Sequence, residues 1–418
     1  MTFYAAKFTG QLTQALLTAG LFVVASQASN ATAGLTSVML AGIAAALCFG
    51  FLAGAAVDRV GPARAYAAAA ALRMAPPVLA LLFAHSMPVA IALAFSGSAL
   101  IQVFGPAEMS LVRQLKPRAP AQAHALLVFL QYGGQAVGAA ALAPALYFSG
   151  GTNAIFAGAS VAAVAFFVLA LRLAREAGAC EVRSHAARPF AFRPTLGFLA
   201  SDERARYAVG ALALKTAVSR GVVVALPLYV HSDADAGNMA IGGLVAVGAC
   251  GAIVGLIWSA RGIGAATANR TMRLGMLGIA CGALALAVFD YGILAVATVS
   301  HVGPFIRLES SINTTFWLAI PAAFLLGLSF AGALIGARVA LTASAPLADQ
   351  GRIFATQAVI TEALLALPLL LTGVGVQYAG ARTTLAALGV ASLVVVLLLE
   401  LSRNADRTRA KILAAASA

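Results

Sequence analysis

Charge is what this chain has least of. Only 10% of its 418 residues are Asp, Glu, Lys or Arg, where soluble domains carry about a quarter. A deficit of that size leaves too little polar surface to coat a water-soluble globule. Cysteine is equally sparse: Cys48, Cys180, Cys250 and Cys281 stand apart with no metal-ligand spacing, and the five histidines are as dispersed. Three of the four cysteines sit in apolar runs, where they behave as small hydrophobes. No Gly-x-x-x-x-Gly-Lys-Ser/Thr loop is present to cradle a nucleotide, so ATP does not drive the protein directly. No Gly-x-Ser-x-Gly elbow, no zinc-helix pattern and no polar domain exists to hold an active site. These absences exclude an enzyme, a metal and a cofactor.

What fills the chain is apolar: 61% of residues are hydrophobic and mean hydropathy is +0.94. Runs of spanning length lie at about 8–27, 34–56, 65–84, 88–112, 122–148 and 153–173. A second set follows at about 205–230, 240–260, 272–291, 314–341, 353–378 and 382–402. Each is near the roughly 20 residues that a helix needs to cross a bilayer core. None alternates with period two, which argues against barrel strands. The ninth run is the least clean, because apolar character continues to Val299, and 292–313 either extends it or forms a small outer loop. The first run leads straight into the second with no small-residue cleavage site, so it reads as a retained helix and not a signal peptide.

One long polar stretch, 174–203, divides the runs into two sets of six, an N-terminal bundle over 1–173 and a C-terminal bundle over 204–418 with a short tail. Six plus six about a charged linker implies an internal duplication. The fold class expected is therefore all-α integral membrane, with twelve transmembrane helices in two pseudo-symmetric six-helix bundles.

The formal net charge of +13 would raise nucleic acid as a partner in a soluble protein. Here no basic run is interleaved with aromatics on a polar domain, and lipid is the partner instead. Of the 27 Lys and Arg, 22 fall on the side of the N-terminus, including Lys7, Arg59, Arg64 and Arg403. Arg307 and Arg382 lie opposite, and Arg73, Lys215 and Arg220 fall within spans. That imbalance places both termini in the cytoplasm.

Between the second and third runs stands Gly54-Ala-Ala-Val-Asp58-Arg59-Val-Gly61-Pro-Ala-Arg64. It resembles the loop signature of the major facilitator superfamily, which has it between helices two and three. Gly54 would let helix two approach a neighbour, and Gly61 would permit the turn. The resemblance implies that Asp58 faces the start of helix eleven near Arg352, supported by Arg59 and Arg64, and clamps one half to the other. The matching loop of the second half, Arg261 to Arg270, has basic ends but no acid. Arg73, Phe104-Gly-Pro-Ala-Glu108, Leu115-Lys-Pro117 and Gly351-Arg352-Ile-Phe-Ala-Thr-Gln357 are similar to the branch of bacterial macrolide, siderophore and lysophospholipid transporters. Drug exporters of that branch carry an acid in helix one, whereas this chain has Gln11 and Gln14, which puts export of cationic drugs in doubt.

Charges inside a bilayer are functional by default. Lys215 and Arg220 share helix seven but point about 140° apart, and Glu362 lies mid-membrane in helix eleven. By the resemblance both helices border a central cavity. An Arg220–Glu362 pair is then either a fixed tie or a proton site whose opening frees Arg220 for an anion. Gln131 and Gln135 share a face of helix five, and Gln357 and Thr361 share one of helix eleven. With Gln11 and Gln14, these amides either line a wet cavity or tie helices together. The resemblance implies a monomeric transporter in the bacterial inner membrane, in which two bundles rock to export an amphipathic or anionic organic solute, with protons as coupling ion. A lysophospholipid flippase and a facilitator-fold receptor or scaffold are the alternatives.

Overall fold

Helices are the only regular elements among the described residues, as a backbone without water to bond must have it. The computed structural model describes residues 1–84, 86–114, 120–178, 192–230, 238–262, 265–299, 314–345 and 350–416. In the first half these form α1 (Thr2–Ser26), α2 (Ala31–Val60), α3 (Pro62–Leu72), α4 (Ala75–Phe83), α5 (Met87–Gln114), α6 (Pro120–Ala136) and α7 (Ala143–Gly178), with a π-helical turn, Val137–Leu142, between the last two. The short α8 (Phe192–Ser201) leads to α9 (Glu203–Leu228), α10 (Asn238–Gly262), α11 (Ala265–Val299), α12 (Thr314–Ser344), α13 (Gln350–Ala379) and α14 (Ala381–Ala416).

Among the described residues, eleven stretches are long and apolar enough to cross a membrane, and their bounds follow the apolar runs closely. One of them, Leu126–Glu176, has 51 residues. As a single helix it would be about 77 Å long, more than twice a bilayer core. The backbone leaves helical geometry at Gly150 and Gly151, and at Gly151 φ is 66°, a value that only glycine adopts without strain. Beyond that break the chain folds back, so that Gly158 lies on the Leu146 side chain. This stretch is therefore two crossings, which brings the total among the described residues to twelve. Conversely, α3 and α4 make one crossing with a break at Arg73–Met74. Pro76 and Pro77 explain it, since neither offers an N–H to the carbonyl four residues back. The extended reading of the ninth run holds as far as Val299; the rest of 300–313 lies outside the described residues, as does 179–191 of the linker.

The chain divides into two packed units, Met1–Leu196 with Pro346–Ala366, and Gly197–Ala345 with Leu367–Ala418. In the first, Phe3, Tyr66, Phe104, Leu111 and Phe166 centre one apolar cluster, and Leu17, Leu21, Leu35, Leu93 and Phe156 centre another. In the second, α12 is held between α10 and α11 through glycines. A Cβ on Gly251 would fall on the Phe324 carbonyl, and one on Gly336 would meet Met272 and Ala268 within 2.8 Å. Gly327 is the tightest, facing the Gly248 carbonyl oxygen backbone to backbone. Gly327→Ala is expected to destabilise the protein by at least about 1–3 kcal/mol through overpacking. Gly332→Ala is the control, because its Cβ has only ordinary contact with Thr271 and Gly275. Thermal unfolding of the solubilised protein checks this; equal effects at the two positions would refute the close approach.

Candidate functional site

The first helix carries a polar stripe. Lys7, Gln11, Gln14 and Thr18 follow one another at four, three and four residues, so all lie within about 60° of helix surface. Each of the first three binds a different helix. Lys7 Nζ donates to Glu108 Oε2 of α5 at 2.6 Å, Gln135 Nε2 of α6 donates to Gln11 Oε1 at 2.8 Å, and Arg73 Nη2 donates to Gln14 Oε1 at 2.7 Å. Gln14 Nε2 in turn donates to Thr18 at 3.1 Å. Gln11 reaches Gln135 because α6 comes close: a Cβ on Gly134 would meet the Phe8 carbonyl oxygen at 2.8 Å. Gln11, Gln14 and Gln135 thus act as ties between helices within the first unit. Gln131, also on α6, is half-buried.

The Lys7–Glu108 pair is buried, with side chains 6% and 9% exposed. Arg73 is 2% exposed and lies over the rings of Phe104 and Phe166, its Cζ 5.1 and 5.8 Å from their centroids. Those two rings and Tyr66 make an edge-to-face triad with centroids 5.1 to 5.7 Å apart. Tyr66, Arg73 and Glu108 lie within electrostatic reach of one another. The stacked guanidinium and the ion pair make each other's burial tolerable, because a cation in hydrocarbon needs an anion, an acceptor or a π face.

Lys7 is thus no loose cation at a helix end, and Glu108 is buried together with it. Both lie near helix ends in the sequence, where charges usually reach water. The signal that could have paired them is the stripe itself, since Lys7 shares a face with two amides.

Around α2 the geometry corrects one expectation. Among the described residues, close approach falls at Gly50, where a Cβ would meet Val359 at 2.6 Å, whereas a Cβ on Gly54 would meet nothing within 4 Å. Gly61 makes the turn into α3 with φ 91°, its N–H donating to the Val57 carbonyl. Arg59 and Arg64 are exposed. The side chains of Asp58 and Arg352 lie outside the described residues.

Lys215, Arg220, Glu362 and Gln357 are all half-buried. Lys215 Nζ stands 6.0 Å from the Phe330 ring centroid of α12, and Gln357 donates to Thr361 on its own helix at 2.8 Å. Arg220 belongs to the second unit and Glu362 to the first. The second unit also has a polar knot that the motifs did not flag. Tyr207 of α9 donates to Glu400 of α14 at 2.6 Å, Arg403 binds Glu203 at 3.0 Å, and Arg403 stacks on the Tyr207 ring at 5.1 Å. A cavity of about 500 Å³, lined by Gln27, Ser29, Thr152, Asn153 and apolar neighbours, opens at the far end of the first unit from Met1. Among the described residues no cluster of His, Cys, Asp and Glu could hold a metal.

Twelve apolar helical crossings among the described residues define a multi-pass membrane protein. The comparisons with known proteins agree. The family model described as Major Facilitator Superfamily matches residues 4–308, more than half of the chain. The protein belongs to that superfamily, and is a transporter by family and not an enzyme. No curated protein matches it by sequence. Its fold is similar to the crystal structure of a mutant of the peptide transporter POT, with a TM-score of 0.67 over 95% of this chain and 92% of that one, at 16% identity. That likeness is one of fold alone.

Proposed function

We propose that the protein exports an amphipathic or anionic organic solute by alternating access, driven by the proton gradient across the bacterial inner membrane. The observation that carries this reading is the pair of half-buried cations, Lys215 and Arg220, in the middle of α9. Cations at that depth are functional by default, and their charge suits recognition of a solute carboxylate or phosphate. Glu362, near the middle of α13, is the acid that takes up the coupling proton. Packing of Gly50 on Val359 supports the clamp reading of the loop. The contact joins α2 to α13, and two turns along each helix from it the backbone reaches Asp58 on one and Arg352 on the other. The imbalance of cations supports both termini in the cytoplasm.

Flux into proteoliposomes tests this, using anionic, neutral and cationic amphiphiles and a lysophospholipid, each with and without a proton gradient. Gradient-driven flux of the anions is the expected result. Flux of the lysophospholipid alone would favour a flippase, and no flux of anything a receptor or scaffold. Glu362→Gln is expected to abolish uphill transport while exchange persists; unaltered uphill transport would remove it from the mechanism. Arg220→Ala is expected to weaken anion binding about tenfold or more, roughly the loss of 1.4 kcal/mol. Equal loss for neutral solutes would make the arginine structural.

A further inference from the structure

We propose that Glu108 is a proton-binding site, and that its pair with Lys7 is a latch on a hinge in α5. Two observations converge on it. The pair is short and buried, 2.6 Å between Lys7 Nζ and Glu108 Oε2, with both side chains less than a tenth exposed. Two residues earlier α5 contains Pro106, inside the helix, preceded by Gly105. Pro106 has no N–H for the Gln102 carbonyl, so α5 lacks a rung there. Among the described residues a Cβ on Gly105 would meet nothing within 4 Å, so none of them wedges the backbone at that point. The segment from Ala107 to Gln114 therefore hangs on a weakened joint, and Glu108 is its first anchored side chain.

The groups that face the carboxylate define what happens when the joint opens. From α1 comes Lys7; from α3 come Tyr66 and Arg73; α7 contributes the apolar ring of Phe166. Along α2, which packs beside α5, the described titratable groups are Cys48 and Arg59, both exposed. Swinging Glu108 away from Lys7 leaves a carboxylate in apolar surroundings without its ammonium. Glu108 then takes one proton from water to become a carboxylic acid, while Lys7 stays an ammonium and no other group changes. Closing the joint returns the proton. With Glu108 neutral, Lys7 and Arg73 lack their common anion, so the open form gains one positive charge and favours a negative solute. That last step rests on the transport reading above; proton binding itself does not.

The probe is the proton, and no solute is needed. Full-length protein in lipid nanodiscs is titrated from alkaline to acid pH by infrared difference spectroscopy, which reads the C=O stretch of protonated carboxyls. Subtracting Glu108→Gln from wild type is expected to isolate one buried carboxyl, a difference that Glu362→Gln does not reproduce. Lys7→Gln is expected to show the Glu108 band already at neutral pH, and to speed amide exchange across Ala107–Gln114. Glu108→Asp guards against a misfolded glutamine variant: it keeps an acid on a shorter arm, and its band should persist at a moved frequency. Identical titrations of wild type and Glu108→Gln would overturn the site. Unchanged exchange in Lys7→Gln would overturn the latch. Should wild type carry no solute while the band still titrates, the transport reading fails and the proton site stands.

Discussion

Lys7→Met is expected to destabilise the first unit by about 3–5 kcal/mol, the usual effect of leaving one member of a buried pair without the other. The reason is position. Glu108 is 9% exposed and Lys7 6%, so water cannot replace the missing partner. Glu108→Gln should be worse than Lys7→Met, because the cluster holds two cations, Lys7 and Arg73, against this one carboxylate. Losing the acid leaves two like charges buried together; losing the lysine leaves Glu108 without its direct partner, with only Arg73 in electrostatic reach. The double variant Lys7→Met/Glu108→Met removes both charges and should recover most of the loss, since an apolar pair of similar volume packs well in that core. Thermal unfolding of wild type, Lys7→Met, Glu108→Met and the double variant closes a double-mutant cycle. Strictly additive effects would mean that the two residues do not interact.

The twelve crossings were legible because lipid leaves the sequence little choice. A spanning helix must be continuous and apolar for its whole length, and runs such as 353–378 and 382–402 reappear almost unchanged as Ile353–Ala379 and Ala381–Ala405. The reversal at Gly150–Gly151 was legible for the same reason, as a dip between two runs. The polar cluster was less so. Apolar runs say how a helix meets lipid, whereas Lys7, Glu108 and Arg73 are defined by how helices far apart in sequence meet one another. In the sequence Arg73 is only a cation within a span, yet it is among the largest fully buried side chains of the structure. Gln11 and Gln14 were legible as a pair on one face, but not the identity of their partners. Gly54 shows the opposite failure. A motif glycine suggested close packing, and the close packing belongs to Gly50 one turn earlier. Helical periodicity permits either, and only the neighbour decides.

Arg73 is where packing and charge can be separated, and the expected outcomes differ sharply between two substitutions. Arg73→Ala is expected to cost about 3–5 kcal/mol, in the range of large buried side chains cut back to a methyl. It removes the guanidinium over Phe104 and Phe166, leaves a void beside the Tyr66 ring, and strips Gln14 Oε1 of its donor. Arg73→Met keeps most of the volume and meets the same two rings with a polarizable sulfur. Its charge is lost, but so is the burden of burying it, and the cluster is left with a balanced Lys7–Glu108 pair. Arg73→Met should therefore approach wild-type stability, with only the Gln14 bond to answer for. It should also partly rescue Glu108→Gln, because that combination leaves one buried cation instead of two. If Arg73→Met were as damaging as Arg73→Ala, the arginine would matter for its charge and its bond to Gln14, and the volume argument would fall. Expression-normalised unfolding curves for Arg73→Ala, Arg73→Met and Arg73→Met/Glu108→Gln decide between the two. A rescue that fails would show that Arg73 and Glu108 do not share one electrostatic balance.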